Sequence, residues 1–121
     1  MKKILIVEDD NDMQQIYAAM FSNDGMYSIE IMSEAAGALK RLKTEKFDLV
    51  ILDIIMEPMS GDSFFVHARN DVKMKHVPIL AVSILKQDTL HFLETLGNFY
   101  YLQKPITKES LFKKIEEILT K

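Results

Sequence analysis

Five short apolar runs recur along the chain, and segments with a helical spacing of apolar residues separate them. The runs cover residues 4–7, 27–32, 47–52, 77–83 and 99–102. Short runs rich in Ile, Leu, Val and aromatic residues are typical of β-strands. The first, third and fourth runs are nearly continuous, as expected for strands that helices cover on both faces of a sheet. We therefore predict five strands in a helix-covered sheet.

The segments between the runs have the pattern of amphipathic helices. The first carries an apolar stripe at i, i+3, i+4, i+7 and i+8, formed by Met13, Ile16, Tyr17, Met20 and Phe21. Asn11 and Gln14 have the spacing of a capping box, so this helix should begin just after the acidic residues 8–10. Further helices are predicted over residues 34–43, 62–70, 87–96 and 108–120. This alternation of strands and helices, with right-handed crossovers, predicts a doubly wound parallel sheet.

Length and composition fit one domain over residues 1–121, with 48% hydrophobic and 27% charged residues. A net charge of −3 provides no basic surface for nucleic acid or an anionic membrane. The absence of cysteine excludes disulfides and thiolate-bound zinc. His67, His76 and His91 lack the spacing of metal ligands.

The start of the chain predicts neither export nor membrane insertion. Only four strongly apolar residues lie between Lys3 and Glu8, too few for a signal peptide or a membrane span. We therefore expect a cytoplasmic location. The chain ends with its last predicted helix, so the protein either stands alone or is a fragment of something longer.

Polar side chains follow the apolar runs where the predicted strands end. Glu8 and Asp9 follow the first run, Asp53 the third, Ser83 ends the fourth and Lys104 follows the fifth. Open parallel sheets bind ligands at this edge. Carboxylates at the ends of buried strands are costly unless a cation lies between them, and Mg²⁺ prefers such oxygen ligands. We therefore predict a Mg²⁺ site around a nucleophilic aspartate that can form an acyl phosphate.

Four motifs, in order, resemble the receiver domain of two-component response regulators. They are Val7-Glu8-Asp9-Asp10, the run from Leu52-Asp53-Ile54-Ile55-Met56 to Gly61, the run from Pro78 to Ser83, and Lys104-Pro105. The resemblance covers essentially the whole chain. It implies a flavodoxin-like α/β fold, with a five-stranded parallel sheet in the order 2-1-3-4-5 and five helices.

The resemblance assigns roles around the predicted metal site. It implies that Asp53 is the phosphoacceptor and that Mg²⁺ is held by Glu8, Asp9, Asp53 and the backbone carbonyl of Ile55. Glu8 would act partly through water. Lys104 would pair with the phosphoryl group.

The resemblance also implies a conformational switch. Ser83 would hydrogen-bond the phosphoryl oxygen, and the ring of Tyr101 would turn inward when Ser83 moves. The face formed by the fourth helix, fifth strand and fifth helix would then change its partner preference. The Lys104-Pro105 bond is expected to be cis.

The implied function is signalling by a regulatory domain that supports only its own phosphoryl transfer and dephosphorylation. A sensor histidine kinase or a phosphotransfer protein would donate to Asp53. The signal would pass to a downstream protein or to an output domain absent from this segment. A homodimer formed through the same face remains open, whereas neither nucleic acid nor a membrane is an expected partner.

Two departures from the family pattern keep an alternative open. Glu57 stands where the family usually has proline, and the large Ile84 follows the predicted switch hydroxyl. The alternative is a receiver-fold docking module that acts without phosphorylation. An aspartyl phosphatase would need a second acid at position 55, which is Ile55. Asp10 is predicted to be a solvated residue near the helix N-terminus rather than a ligand.

Overall fold

The central feature of the fold is one parallel sheet. The structure is a computed structural model that describes residues 1–55, 59–85 and 91–120. Its strands are β1 (Lys2–Val7), β2 (Tyr27–Met32), β3 (Leu49–Asp53), β4 (Ile79–Ser83) and β5 (Phe99–Gln103). Neighbouring strands are parallel, in the order β2-β1-β3-β4-β5. The predicted doubly wound sheet and its strand order are therefore confirmed.

Helices connect these strands. Within the described ranges they are α1 (Asn11–Phe21), α2 (Ala35–Thr44), α3 (Gly61–Asn70), α4 (His91–Glu94) and α5 (Lys108–Leu119). The predicted segments for α2, α3 and α5 differ from these bounds by at most one residue at either end. Residues 87–90 of the predicted helix 87–96 lie outside the described residues, and its described part is the single turn of α4, which ends two residues before the predicted end.

The first helix begins where the sequence predicts, but the predicted cap is wrong. Asp10, not Asn11, is the N-cap, and its carboxylate accepts a hydrogen bond from the Met13 N–H at 3.0 Å. The side-chain amide of Gln14 donates instead to the Glu8 carbonyl at 2.6 Å. Asp and Asn are equally good N-caps and are adjacent here, so the pattern alone did not determine which residue caps the helix.

Two hydrophobic layers cover the two faces of the sheet. The layer beneath α1 and α5 contains Ile4, Ile6, Leu49, Ile51, Leu80 and Val82 from the strands. The layer beneath α2, α3 and α4 contains the alternate strand residues Leu5, Val7, Val50, Leu52, Ile79 and Ala81. These faces alternate because successive side chains of a strand point to opposite sides. Each fully buried aliphatic side chain contributes roughly 1.5–3 kcal/mol to folding.

Arg69 at the end of α3 fastens the loops at the opposite edge of the sheet from the polar strand ends. Its guanidinium donates to the carbonyls of Val77 at 2.6 Å, Gly97 at 2.8 Å and Asn98 at 3.0 Å. It also lies over the Phe65 ring, 4.7 Å from the centroid. Burial lowers the pKa of Arg69 to about 10, so the group remains charged at pH 7. Arg69 therefore links α3 and its following loop to the turn that precedes β5.

Crossing a bilayer takes about 20 consecutive apolar residues in one helix. No helix in residues 1–55, 59–85 or 91–120 meets that requirement.

Candidate functional site

Three predicted site residues share one face of the sheet because of strand alternation. Glu8 lies two residues beyond Ile6, and Asp53 lies two beyond Ile51. Both isoleucines belong to the layer beneath α1 and α5. Glu8 and Asp53 therefore continue that face at the carboxyl edge, and Lys104 continues it from β5. Glu8 and Asp53 are 1% and 7% exposed, whereas Asp9 is exposed.

The acidic residues predicted from the sequence converge in space. Glu8, Asp9 and Asp53 each present a carboxylate oxygen, and these three atoms lie within 4.8 Å of one another. The Lys104 Nζ lies 3.4 Å from Glu8 Oε1 and 4.0 Å from Asp53 Oδ1. One ammonium therefore lies beside two of the three carboxyl groups.

Backbone donors orient the two buried carboxyl groups. The N–H of Asp10 donates to Glu8 Oε2 and the N–H of Ile55 donates to Asp53 Oδ1, both at 3.2 Å. The Glu8 N–H donates to the Met32 carbonyl at 2.9 Å and so extends the pairing of β1 with β2 beyond the last strand residue. These bonds hold both side chains at the sheet edge.

Burial disfavours the doubly charged state of the Glu8 and Asp53 pair when no cation is bound. Burial, and after it the charge of Asp53, raise the pKa of Glu8 to about 7. Burial also raises the pKa of Asp53, opposed mainly by the charge of Lys104. Two close buried carboxylates cannot both ionise easily, so protonation of the pair is favoured when no cation is bound.

The donor set fits a hard divalent cation. Carboxylate oxygens are the ligands that Mg²⁺ prefers, and three such groups exceed the charge that a single lysine can neutralise. A bound cation would favour the charged form of Glu8, against the burial and the Asp53 charge that raise its pKa. Ile55 lies at the same edge of the sheet, and its backbone carbonyl stays a predicted ligand of Mg²⁺.

The two predicted switch residues, Ser83 and Tyr101, contact each other at the end of β4. Ser83 is 1% exposed, and its hydroxyl accepts a hydrogen bond from the Leu85 N–H at 3.2 Å. The Tyr101 hydroxyl donates to the Ser83 carbonyl at 3.3 Å, with the ring already buried. The Lys104–Pro105 peptide is cis, as expected from the sequence.

The start of α3 packs closely against the backbone beside Asp53. The Gly61 N–H donates to the Ile54 carbonyl at 2.8 Å. A Cβ at Gly61 would lie 2.5 Å from the Asp53 carbonyl oxygen and 2.5 Å from the Ile54 Cα. Gly61 belongs to the motif recognised in the sequence, but its packing against the backbone of Asp53 and Ile54 was not predicted. No local sequence pattern shows which backbone segment the first residue of a helix will contact.

The structure describes only one of the two residues that depart from the family pattern. Glu57 lies outside the described residues, so its position relative to the acidic group stays untested. Ile84 is exposed and lines a groove of about 390 Å³ with Met13, Lys104 and Pro105. Ile84 therefore borders the approach to the site from the α1 side.

Comparisons with known proteins agree with this geometry. The response regulator receiver domain family matches residues 4–116. The chemotaxis protein CheY of Pseudomonas aeruginosa is 32% identical over 117 residues, covering 96% of this chain and 94% of that protein. Chemotaxis protein CheY-3 of Vibrio cholerae is 30% identical, covering 96% of this chain and 90% of its own length.

A solved structure shares the fold. The chemotaxis response regulator CheY4 of Vibrio cholerae superposes with a TM-score of 0.88 at 27% identity, covering 98% of this chain and 99% of that one. The family match spans nearly all of the elements that hold the acidic residues, Ser83 and Lys104. The chain therefore belongs to the response regulator receiver domain family of two-component systems.

Proposed function

We propose that this protein is a phosphorylation-controlled switch in which Asp53 accepts a phosphoryl group from a phosphohistidine of a sensor kinase or phosphotransfer protein. The observation that carries the proposal is the convergence of three carboxylates within 4.8 Å, with the Lys104 ammonium beside two of them. Glu8, Asp9, Asp53 and the Ile55 carbonyl would hold Mg²⁺. The ion would supply positive charge to the phosphoryl oxygens.

The chemical step needs little from the protein beyond position and charge. An Asp53 carboxylate oxygen attacks phosphorus and forms the acyl phosphate, while the P–N bond of the phosphohistidine breaks and its electron pair returns to the imidazole. The Lys104 ammonium and the Ile55 N–H both favour the charged form of Asp53, and a bound cation would favour it further. Lys104 is close enough to stabilise the added negative charge.

Ser83 and Tyr101 would turn this charge into a conformational change. The Ser83 hydroxyl accepts a bond from Leu85, so its own proton is free to be donated to a phosphoryl oxygen. Movement of Ser83 would displace the carbonyl that Tyr101 contacts, and hence β5 beside α4. The phosphoryl group would thus shift a two-state equilibrium of the face formed by α4, β5 and α5.

Intact-mass spectrometry tests the phosphoacceptor. We expect one added phosphoryl group when the protein is incubated with Mg²⁺ and either acetyl phosphate or a phosphorylated kinase domain. Asp53→Asn should abolish the addition. Asp10→Asn is the matched control, because Asp10 lies at the same edge but serves as a helix cap, where Asn is equally good. Labelling that survives in Asp53→Asn would refute the assignment.

A second measurement separates the switch from the docking-module alternative. Beryllofluoride with Mg²⁺ mimics the acyl phosphate without turnover. For a switch, we expect nuclear magnetic resonance shifts at Ser83, Tyr101 and α4 that Asp53→Asn abolishes. A docking module that works without phosphorylation should show no shift at Tyr101 or α4.

A further inference from the structure

Tyr17 is an unusual component of the layer beneath α1 and α5. It is 1% exposed and packs in an otherwise apolar cluster with strand residues such as Ile6 and Ile51. Phenylalanine would fill the same volume without burying a hydroxyl, and burying a polar group without a partner is unfavourable. The hydroxyl therefore calls for a physical explanation.

The position of Tyr17 directs its ring toward the acidic edge. Ile6 and Ile51 are followed two residues later, on the same face, by Glu8 and Asp53. Helical side chains point back toward the helix N-terminus, and α1 begins at Asn11, directly after the acidic residues. We therefore expect the long Tyr17 side chain to extend along this face from the apolar layer toward the two carboxyl groups.

The Tyr17 hydroxyl has no protein partner within the described ranges. In those ranges, the one fully buried side-chain oxygen or nitrogen without a hydrogen bond is Glu30 Oε2, which is ion-paired with Arg41. The Tyr17 oxygen, which has no such bond either, must therefore retain contact with water although the residue is almost entirely covered. A hydroxyl that contacts water can form a hydrogen bond to a nearby acceptor through one bridging water molecule.

The electrostatics agree with that placement. Burial raises the pKa of Tyr17, and the charges of Glu8 and Asp53 raise it further. The hydroxyl therefore stays protonated and available as a donor. Glu8 has capacity for another donor, because each of its oxygens accepts one bond, from Lys104 at 3.4 Å and Asp10 at 3.2 Å, and a carboxylate has about four acceptor sites.

We propose that Tyr17 is a positioning residue of the divalent-cation site, whose hydroxyl donates a hydrogen bond through one water molecule to the Glu8 carboxylate. This bond holds the carboxylate in the orientation that faces the cation. Partners that orient ligands in this way commonly change metal affinity by 10- to 100-fold. The inference rests on the metal site of the proposed function and adds a donor from α1 to it.

Calorimetric titration with Mg²⁺ tests this role in three proteins: wild type, Tyr17→Phe and Tyr27→Phe. Tyr27 is the matched control because it begins β2 at the opposite edge of the sheet, where its ring contacts Phe21 and Phe112. We expect the Mg²⁺ Kd to rise about tenfold in Tyr17→Phe and to stay at the wild-type value in Tyr27→Phe. Urea unfolding of the metal-free proteins should show no loss of stability in Tyr17→Phe.

A spectroscopic signature provides a second readout. The chain contains four tyrosines and no tryptophan, so its near-ultraviolet difference spectrum on adding Mg²⁺ reports on tyrosine. We expect Tyr17→Phe to lose most of this signal and Tyr27→Phe to retain it. An unchanged Kd in Tyr17→Phe, or a weaker Kd with an equal loss of metal-free stability, would overturn the role of Tyr17 alone. A wild-type protein without saturable Mg²⁺ binding would overturn the metal site of the proposed function, and this inference with it.

Discussion

At the scale of single residues, the protonation of Glu8 depends on what occupies the acidic site. In the metal-free protein, burial and the charge of Asp53 raise the pKa of Glu8 to about 7. Asp53 accepts a hydrogen bond from the Ile55 N–H and faces Lys104, and both contacts favour its charged form. The same residue pair that is unfavourable when doubly charged becomes a ligand set when a cation is bound.

The raised pKa of Glu8 predicts a pH dependence of the free energy of unfolding. The ordinary pKa of the group in the unfolded chain is 4.5, so between that value and about 7 the folded state binds more protons than the unfolded state. Stability from this group is therefore present at low pH and lost as pH rises through that window. We expect a loss on the order of 2 kcal/mol between about pH 5 and pH 8 in chelator-treated protein.

Urea unfolding at several pH values checks this expectation, with Glu8→Gln as the control. Gln has a similar shape and does not titrate, so its stability curve should be flatter over the same range. Equal pH dependence in both proteins would show that Glu8 is not the group responsible.

At the scale of elements, the beginning of α3 packs directly against the backbone of residues 53 and 54. A Cβ on Gly61 would lie 2.5 Å from two backbone atoms of residues 53 and 54, a distance that side-chain rearrangement cannot relieve. The helix and the end of β3 must therefore separate if this glycine is replaced. Asp53 would move with its backbone.

Gly61→Ala should consequently lower stability and weaken Mg²⁺ binding together. We expect a loss of about 1–3 kcal/mol in the free energy of unfolding, the usual cost of overpacking. Gly25→Ala is the matched control, because nothing lies within 4 Å of the position that a Cβ would take there, and its stability should change by less than about 1 kcal/mol. Denaturation and Mg²⁺ titration of both variants measure these effects. A Gly61→Ala protein as stable as Gly25→Ala would contradict the close approach.

Arg69 holds the loops at the other edge of the sheet by hydrogen bonds to their carbonyls. Its planar guanidinium reaches carbonyls in two loops, which a lysine ammonium cannot reproduce. We expect Arg69→Lys to cost about 2 kcal/mol in urea unfolding. Arg41→Lys should cost less than about 1 kcal/mol, because Arg41 pairs with Glu30 and Glu45 at a more exposed position. Similar losses in the two variants would argue against a special role for Arg69.

The elements were predictable where burial alone determines the pattern. The strands β1, β3 and β4 were visible because helices cover both faces of the sheet there, and the α5 stripe was visible because a single face is buried. The cap of α1 was not predictable, since Asp10 and Asn11 are adjacent and both favour that position. Tyr17 was indistinguishable from core filling, because helical spacing identifies the buried face but not what lies beyond the tip of a side chain.

At the scale of the whole molecule, the acidic edge is a site of unfavourable charge that ligand binding can relieve. Glu8, Asp9 and Asp53 belong to two strand ends, so a cation held between them would link β1 to β3. Binding to the folded state alone stabilises the whole domain, because the unfolded chain does not hold these groups together.

Mg²⁺ should therefore raise the thermal stability of the protein, and chelation should reverse the effect. At a Mg²⁺ concentration about 100 times the Kd, the expected gain in the free energy of unfolding is about 2.7 kcal/mol. Asp9→Asn should lose most of the gain, whereas Asp10→Asn should retain it because Asp10 caps α1. Calorimetric scans with and without chelator measure the difference. Equal gains in both variants would place the bound ion elsewhere.

The most direct test of the central claim is a crystal structure of the protein with Mg²⁺ and beryllofluoride. We expect one ion held by Asp9, Asp53 and the Ile55 carbonyl, with Glu8 nearby and beryllofluoride on the Asp53 carboxylate. Lys104 and Ser83 should contact the fluorine atoms. An ion or a beryllofluoride group bound at any other carboxylate, with Asp53 unmodified, would contradict the assignment of Asp53 as the phosphoacceptor.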